Sequence, residues 1–289
     1  MSTSLQAALL GVVQGLTEFL PVSSTAHLIL ARAFFGWDAD QFGLAFDVAC
    51  HVGTLVAVVA FFWPEVVRMI ASVPNLFPLR AAEGRQNSAA AEVRDRVTDP
   101  ADSAEYARLI WLLAVGTVPA VAVGLVFGRV IEDRLRTVPM AAFMLAAVAL
   151  GLFWAERAGA KTRGERSITF LEAFWIGCAQ AVALVPGVSR SGATLIVALF
   201  IGLRRQDAAR FIFLLSIPAI LGAAAREAPK ILRAGLGGGG ELFVIGVVSS
   251  AIVGYIAVKY FIRYVADHSL DVFAWYRLAL AACAVVWLW

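Results

Sequence analysis

The sequence predicts an all-α, polytopic integral membrane protein, and three observations carry the prediction. Hydrophobic residues make up 61% of the 289-residue chain and charged residues only 16%, against about 45–50% and 25% in soluble globular domains. A soluble fold of this size cannot cover so much apolar surface. The apolar residues also come in long runs, many of them about twenty residues, the length that spans a ~30 Å hydrocarbon layer at 1.5 Å per residue. Finally, two short polar stretches break the pattern, 14–27 (QGLTEFLPVSSTAH) and 185–194 (VPGVSRSGAT). Each puts a proline, several hydroxyls and an ionisable group where hydrocarbon is expected.

Taken in order, the elements are six spans and two hairpins. Runs 5–20 and 24–36 are too short to cross and are split by the first polar stretch, so 5–36 reads as a re-entrant hairpin of half-helices. Spans follow at 44–63, 107–128 and 138–155, with 64–106 as a long cytoplasmic loop between the first two. Runs 170–185 and 191–202 form the second hairpin, 170–202, around the second polar stretch. Spans at 208–225, 241–265 and 271–289 complete the chain. No basic residue precedes residues 5–13, so they do not read as a secretory signal peptide. Cys50, Cys178 and Cys283 sit in apolar runs without a pairing pattern and read as small buried residues.

The hairpins resemble one another. Gln14 precedes Ser23 by nine residues and Gln180 precedes Ser189 by nine; a proline precedes each serine (Pro21, Pro186). The single membrane domain, 1–289, therefore divides into repeat 1 (about 1–128) and repeat 2 (about 170–289). Three spans separate the hairpins, so they enter from opposite faces, as in an inverted-topology repeat whose broken helices meet near the midplane. On this layout fifteen Lys and Arg residues fall on one side and six on the other. The richer side is cytoplasmic by the positive-inside rule, and the first hairpin opens outward. The net charge of +3 is spent on topology signals, and no nucleic-acid partner is expected.

A charge inside a membrane segment costs roughly 2.5–3.5 kcal/mol even on lenient scales, so Glu18, His27 and Arg190 need partners. Pro21 and Pro186 stop the incoming half-helix, and the chain restarts at Ser23-Ser24-Thr25 and at Ser189-Arg190-Ser191. A helix start carries unpaired N–H groups and partial positive charge, which suits phosphate, and Arg190 adds a planar fork for phosphate oxygens. Ser23, Thr25, Ser189, Arg190, Ser191 and Thr194 are the candidate phosphate ligands. Gln14 and Glu18, four apart on one helix face, form an oxygen edge for Mg²⁺ or Ca²⁺. His27 lies three residues after Ser24, a hydroxyl beside a titratable imidazole. Each residue has a plainer role: hydroxyls as helix glue, His27 as a buried histidine, Glu18 in a structural ion pair with Arg190 or Arg32. Asp47, His51 and Asp207 read as interfacial, and Arg277 has no assigned role.

At these residues the chain resembles the bacterial undecaprenyl-diphosphatase family, the membrane phosphatases of bacitracin resistance. The first motif reads Gln14-Gly15-Leu16-Thr17-Glu18 leading into Pro21-Val22-Ser23-Ser24-Thr25-Ala26-His27; the second reads Pro186-Gly187-Val188-Ser189-Arg190-Ser191-Gly192-Ala193-Thr194. The resemblance implies hydrolysis of undecaprenyl diphosphate, a polyprenyl diphosphate lipid, to undecaprenyl phosphate and inorganic phosphate. It also implies a divalent cation, and a bacterial plasma-membrane location with the site facing outward; a homodimer stays open. Gln14 stands where many members carry Glu, so no second carboxylate is available there. The expected machinery is Glu18, Ser24, His27 and Arg190, with Ser24 attacking phosphorus and His27 taking its proton. His27 as nucleophile, or as activator of water, is equally open. The rival reading is a transporter or flippase for an anion or lipid phosphate, since broken helices meeting at a midplane are a transporter layout.

Overall fold

The computed structural model describes residues 1–38, 41–76, 100–234 and 240–288. Among these the chain is helical throughout, with one isolated β-bridge between Arg163 and Leu203. Helix α1 (Thr3–Phe19) ends at the residue pair before Pro21, which cannot continue it. Helix α2 (Ser24–Phe35) restarts behind a Ser23 cap and stops at Gly36, whose φ of +63° suits glycine. Helices α3 (Leu44–Phe61) and α4 (Trp63–Ser72) follow, then α5 (Pro100–Val130) and α6 (Val138–Ala158), the last capped by Thr137. Helix α7 (Phe170–Val182) opens on a Thr169–Glu172 capping box, and α8 (Arg190–Phe200) starts behind Ser189. Helices α9 (Arg205–Ala234), α10 (Gly240–Asp267) and α11 (Asp271–Leu288) complete the chain.

Among the described residues five stretches are long and apolar enough to cross a membrane: Leu44–Phe61, Asp102–Leu135, Val138–Ala158, Arg205–Glu227 and Gly240–Asp267. Helix α11, the expected sixth span, is not among them. The stretch 64–106 is not one loop. Its first part is the amphipathic helix α4, which packs on α5, and α5 itself begins at Pro100; residues 77–99 lie outside the described residues. The cysteines also differ from expectation: Cys50 is buried, but Cys178 is half-buried and Cys283 is exposed on an apolar surface.

Packing crosses between the two halves. Helix α1 lies against α10, and α7 lies against α5; α3 packs on α10 as α9 packs on α5, while α6 pairs with α11. The first helix of each break, α1 or α7, therefore leans on a span from the other half. Glycine makes the closest of these contacts. A Cβ on Gly11 would sit 2.7 Å from the Gly246 carbonyl, and one on Gly177 would sit 2.2 Å from the Gly116 carbonyl. Gly11 and Gly177 each precede their repeat's glutamine by three residues. Small residues are the usual means by which helix backbones approach this closely in a membrane.

Candidate active site at two opposed helix breaks

The breaks between α1 and α2 and between α7 and α8 share a backbone conformation. Ser23 has φ +75° and Ser189 φ +73°, and each side chain accepts a hydrogen bond from the backbone N–H three residues on (Ala26, 3.4 Å; Gly192, 3.1 Å). Positive φ at a non-glycine residue costs of order 1–3 kcal/mol and persists only where its surroundings over-determine it. Arg277 supplies that constraint. Fully buried in α11, it donates to five carbonyls: Pro21 at the first break (3.0 Å), Gly187 and Val188 at the second (2.8 and 3.1 Å), and Leu145 and Met144 on α6 (3.1 and 3.2 Å). Sequence alone left this arginine without a role, and its work is to clamp both tips to one helix. Ser191 adds a direct tie, its hydroxyl donating to the Leu20 carbonyl at 2.9 Å.

The tips meet on one carboxylate. Ser24 Oγ donates to Glu18 Oε2 at 2.6 Å, and Arg190 Nη2 donates to Glu18 Oε1 at 2.5 Å. Gln14 Nε2 donates to Oε2 at 2.8 Å, from one helical turn earlier. Counted from Gln14 and Gln180, Ser24 and Arg190 hold the same position in the two motifs, and Leu184 stands where Glu18 stands. The first break brings the acid and hydroxyl, the second the guanidinium.

The histidines exchange expected roles. His27 was placed with Ser24 by spacing, yet its Nδ1 lies 2.7 Å from the Ser23 carbonyl and its Nε2 2.7 Å from the Tyr276 hydroxyl, with the two rings stacked. A carbonyl only accepts, so Nδ1 carries the proton; in the neutral ring Nε2 accepts from Tyr276. Both nitrogens are thus engaged, and the partner of Ser24 is Glu18. His51, read as interfacial, instead reaches Glu18 Oε2 with Nε2 at 3.4 Å, its Nδ1 donating to the Asp47 carbonyl at 2.7 Å. Asp47 is not interfacial either. Buried in α3, it accepts both Arg32 amino groups (2.7 and 3.0 Å) and also pairs with Arg136. His51 and Glu18 are thirty-three residues apart, so no local spacing links them.

A cleft of about 330 Å³ opens beside this cluster. Glu18, Ser23, Ser24, Thr25, Ser189 and Arg190 line its floor with His51. Gln14, His27, Ser191 and Thr194 are not lining residues; the Thr194 hydroxyl is turned onto the Arg190 carbonyl at 2.7 Å. Away from the floor the walls are apolar, formed by α5, the end of α7 and α9. Arg136, Glu132 and Arg226 add charged groups to the lining.

Among the described residues no three of His, Cys, Asp and Glu gather as a metal cage. What the site offers a hard cation next to its one carboxylate is the spare amide oxygen of Gln14; a second unpaired amide, that of Gln180, also lines the cleft. Gln14 Oε1 is buried beside Glu18 without a hydrogen-bond partner. Mg²⁺ commonly takes one or two carboxylates and completes its shell with substrate phosphates and water, so this donor set fits an ion that arrives with a phosphate ligand.

Fold and site together define an integral membrane protein in which a carboxylate, a hydroxyl and a guanidinium meet between two strained helix starts. The profile of the family described as bacitracin resistance protein BacA matches residues 7–283. Proteins named undecaprenyl-diphosphatase are similar along almost the whole chain. The one from Rubrobacter xylanophilus is 47% identical over 279 residues, covering 96% of both chains. The one from Moorella thermoacetica is 39% identical over 287 residues (99% and 98%), and that of Saccharophagus degradans 41% over 285 residues (98% of each). The chain belongs to the bacitracin resistance protein BacA family.

Proposed function

We propose that the chain hydrolyses undecaprenyl diphosphate to undecaprenyl phosphate and inorganic phosphate, returning the lipid carrier to cell-envelope synthesis. The observation that carries this is the convergence of Ser24 and Arg190 on Glu18. With no ligand bound, Arg190 neutralises the carboxylate. An arriving diphosphate offers the guanidinium a doubly charged partner, which draws Arg190 off Glu18 and leaves the carboxylate free as a base. Ser24 Oγ then attacks the terminal phosphorus while its proton passes to Glu18. The bond from phosphorus to the bridging oxygen breaks, and undecaprenyl phosphate leaves. Glu18 passes that proton to the departing undecaprenyl phosphate. It then takes a proton from water as the water attacks the phosphoserine, the bond from phosphorus to Oγ breaks, and the proton returns to Ser24 Oγ as inorganic phosphate leaves. Arg190 and the first-turn N–H groups behind Ser23 and Ser189 face the charge that shifts during transfer. His51 flanks the carboxylate, and His27 holds the Ser23 carbonyl.

A Mg²⁺ or Ca²⁺ ion would be held by Glu18 and the spare oxygen of Gln14, and when bound supplies neutralisation of phosphoryl charge. The isoprenoid tail lies along the apolar walls between α5 and α9, which continue from the polar floor. We further read α1–α2 and α7–α8 as re-entrant hairpins of an inverted repeat, with α11 as the sixth span; the crossed packing supports this. Arg136 and Arg226 line the cleft and belong to the side poorer in cations, which supports a site that faces outward.

The test is phosphate release from undecaprenyl diphosphate by the purified protein in detergent, with and without chelator. Turnover that stops with chelator and in Glu18→Gln and Arg190→Ala supports the reading. Well-folded wild-type protein that releases no phosphate across several divalent ions overturns it.

A further inference from the structure

Among the described residues, three buried side-chain polar atoms have no hydrogen-bond partner, and all belong to two glutamines: Gln14 Oε1, and both Nε2 and Oε1 of Gln180. Leaving a buried donor or acceptor unpaired costs about 1–3 kcal/mol, and folded proteins hold few such groups. That all three fall on the pair of residues related by the internal repeat points to a common cause in the site between them.

The two differ in what they lack. Gln14 has half its capacity used, because Glu18 one turn later accepts from its Nε2. In the second repeat the residue one turn later is Leu184, which accepts nothing. Gln180 thus keeps a whole amide unpaired at 3% exposure, and it lines the cleft together with Glu18, Ser24, Ser189 and Arg190. An apolar residue of the same length would satisfy this position better if packing were its only task. What is missing is an acceptor on the second-repeat side of the cleft.

We infer that Gln180 is a substrate-binding residue, whose Nε2 donates to a phosphoryl oxygen of the lipid diphosphate and whose Oε1 takes a water. A phosphate group offers only acceptors once ionised, so it matches the donor half of the amide and supplies what Leu184 cannot. The lipid head group is then gripped from both repeats: by Ser24 and the first helix start on one side, by Arg190 and Gln180 on the other. This inference rests on the phosphatase reading above, and its test keeps the two apart.

The experiment compares wild type with Gln180→Met, which keeps length without polarity, and Gln180→Glu, which puts a carboxylate against the phosphate. Phosphate release and thermal unfolding are measured together. The expected result for Gln180→Met is an unfolding midpoint equal to or above wild type, with KM raised about tenfold or more and kcat/KM lowered accordingly. Gln180→Glu should lose more activity than Gln180→Met. Unchanged KM in Gln180→Met overturns the inference, and so does activity that falls only in step with the unfolding midpoint. A second readout is independent of turnover: the rise in unfolding midpoint on adding undecaprenyl phosphate. It should shrink in Gln180→Met, and an equal rise in both proteins sinks the inference even if neither releases phosphate. Absence of phosphate release from wild type would instead count against the phosphatase reading alone.

Discussion

Ser24 and Arg190 hold equivalent positions behind two serines of positive φ, and both donate to the same carboxylate, at 2.6 and 2.5 Å. Two breaks of the same backbone conformation thus contribute different side chains to one cluster. Because the hydroxyl's partner is Glu18, the pair Ser24–Glu18 should act as a unit. Ser24→Ala and Glu18→Gln should each lower kcat about 10²–10⁴-fold, and the double variant should be little worse than either. His27→Gln, which removes a strut and not the base, should stay well above both. Steady-state phosphate release decides this, and additive losses in the double variant would separate the two residues' roles.

Arg277 serves both breaks at once through five backbone carbonyls. Arg277→Met leaves those carbonyls without their donors in a dry interior, where each hydrogen bond to a charged group contributes about 1.5–3 kcal/mol. Thermal unfolding in detergent should shift sharply downward, and Arg277→Lys, with three donors and no planar fork, should recover only part. A midpoint within a degree or two of wild type for Arg277→Met would mean the tips are held by other contacts.

The apolar walls of the cleft predict chain-length selectivity. A Cβ at Gly222 meets nothing within 4 Å, and one at Gly124 meets only Leu184 Cδ1 at 3.7 Å, so both positions accept a side chain without distorting the fold. Gly222→Leu and Gly124→Leu fill the groove where the tail is proposed to lie. KM should rise about tenfold for a C55 diphosphate and stay within twofold for a C15 one. Equal effects on both substrates would place the tail elsewhere.

Between α6 and α7, Glu165 is pushed up to about 7 by burial, against the opposing pull of Arg210 and with Asp207 and Glu65 adding to the rise. Its ordinary value is 4.5, so between those two values the folded state holds a proton that the unfolded state releases. Stability therefore falls as pH rises through that window. Glu165→Gln should flatten the dependence and raise the unfolding midpoint at pH 8 by about 2–4 °C. The readout is the midpoint measured from pH 5 to 8; parallel curves for the two proteins would mean Glu165 does not titrate there.

The two helix breaks were legible because proline acts locally. Pro21 and Pro186 end their half-helices within two to four residues whatever packs around them, and Ser23 and Ser189 cap the restarts through bonds three residues long. The pairing of Glu18 with Arg190 was one of two partners that charge alone allowed. The fate of the histidines was not legible. His27 is close to Ser24 in sequence, but the direction of its ring is set by Tyr276, 249 residues on. His51 reaches Glu18 because α1 and α3 pack on each other and on α10. A histidine and an aspartate one turn apart inside an apolar run were the available signal.

By itself the sequence determined the membrane class, the two breaks and the set of polar residues around them, since hydrophobic run length, proline and capping hydroxyls act over a few residues. Tertiary structure decided which of those residues face one another. That choice depends on crossed packing between the two halves, on Gly11 and Gly177 allowing helices to approach closely, and on a buried arginine from the last helix that fastens both tips. None of these contacts has a short-range signature, because each joins residues tens to hundreds of positions apart.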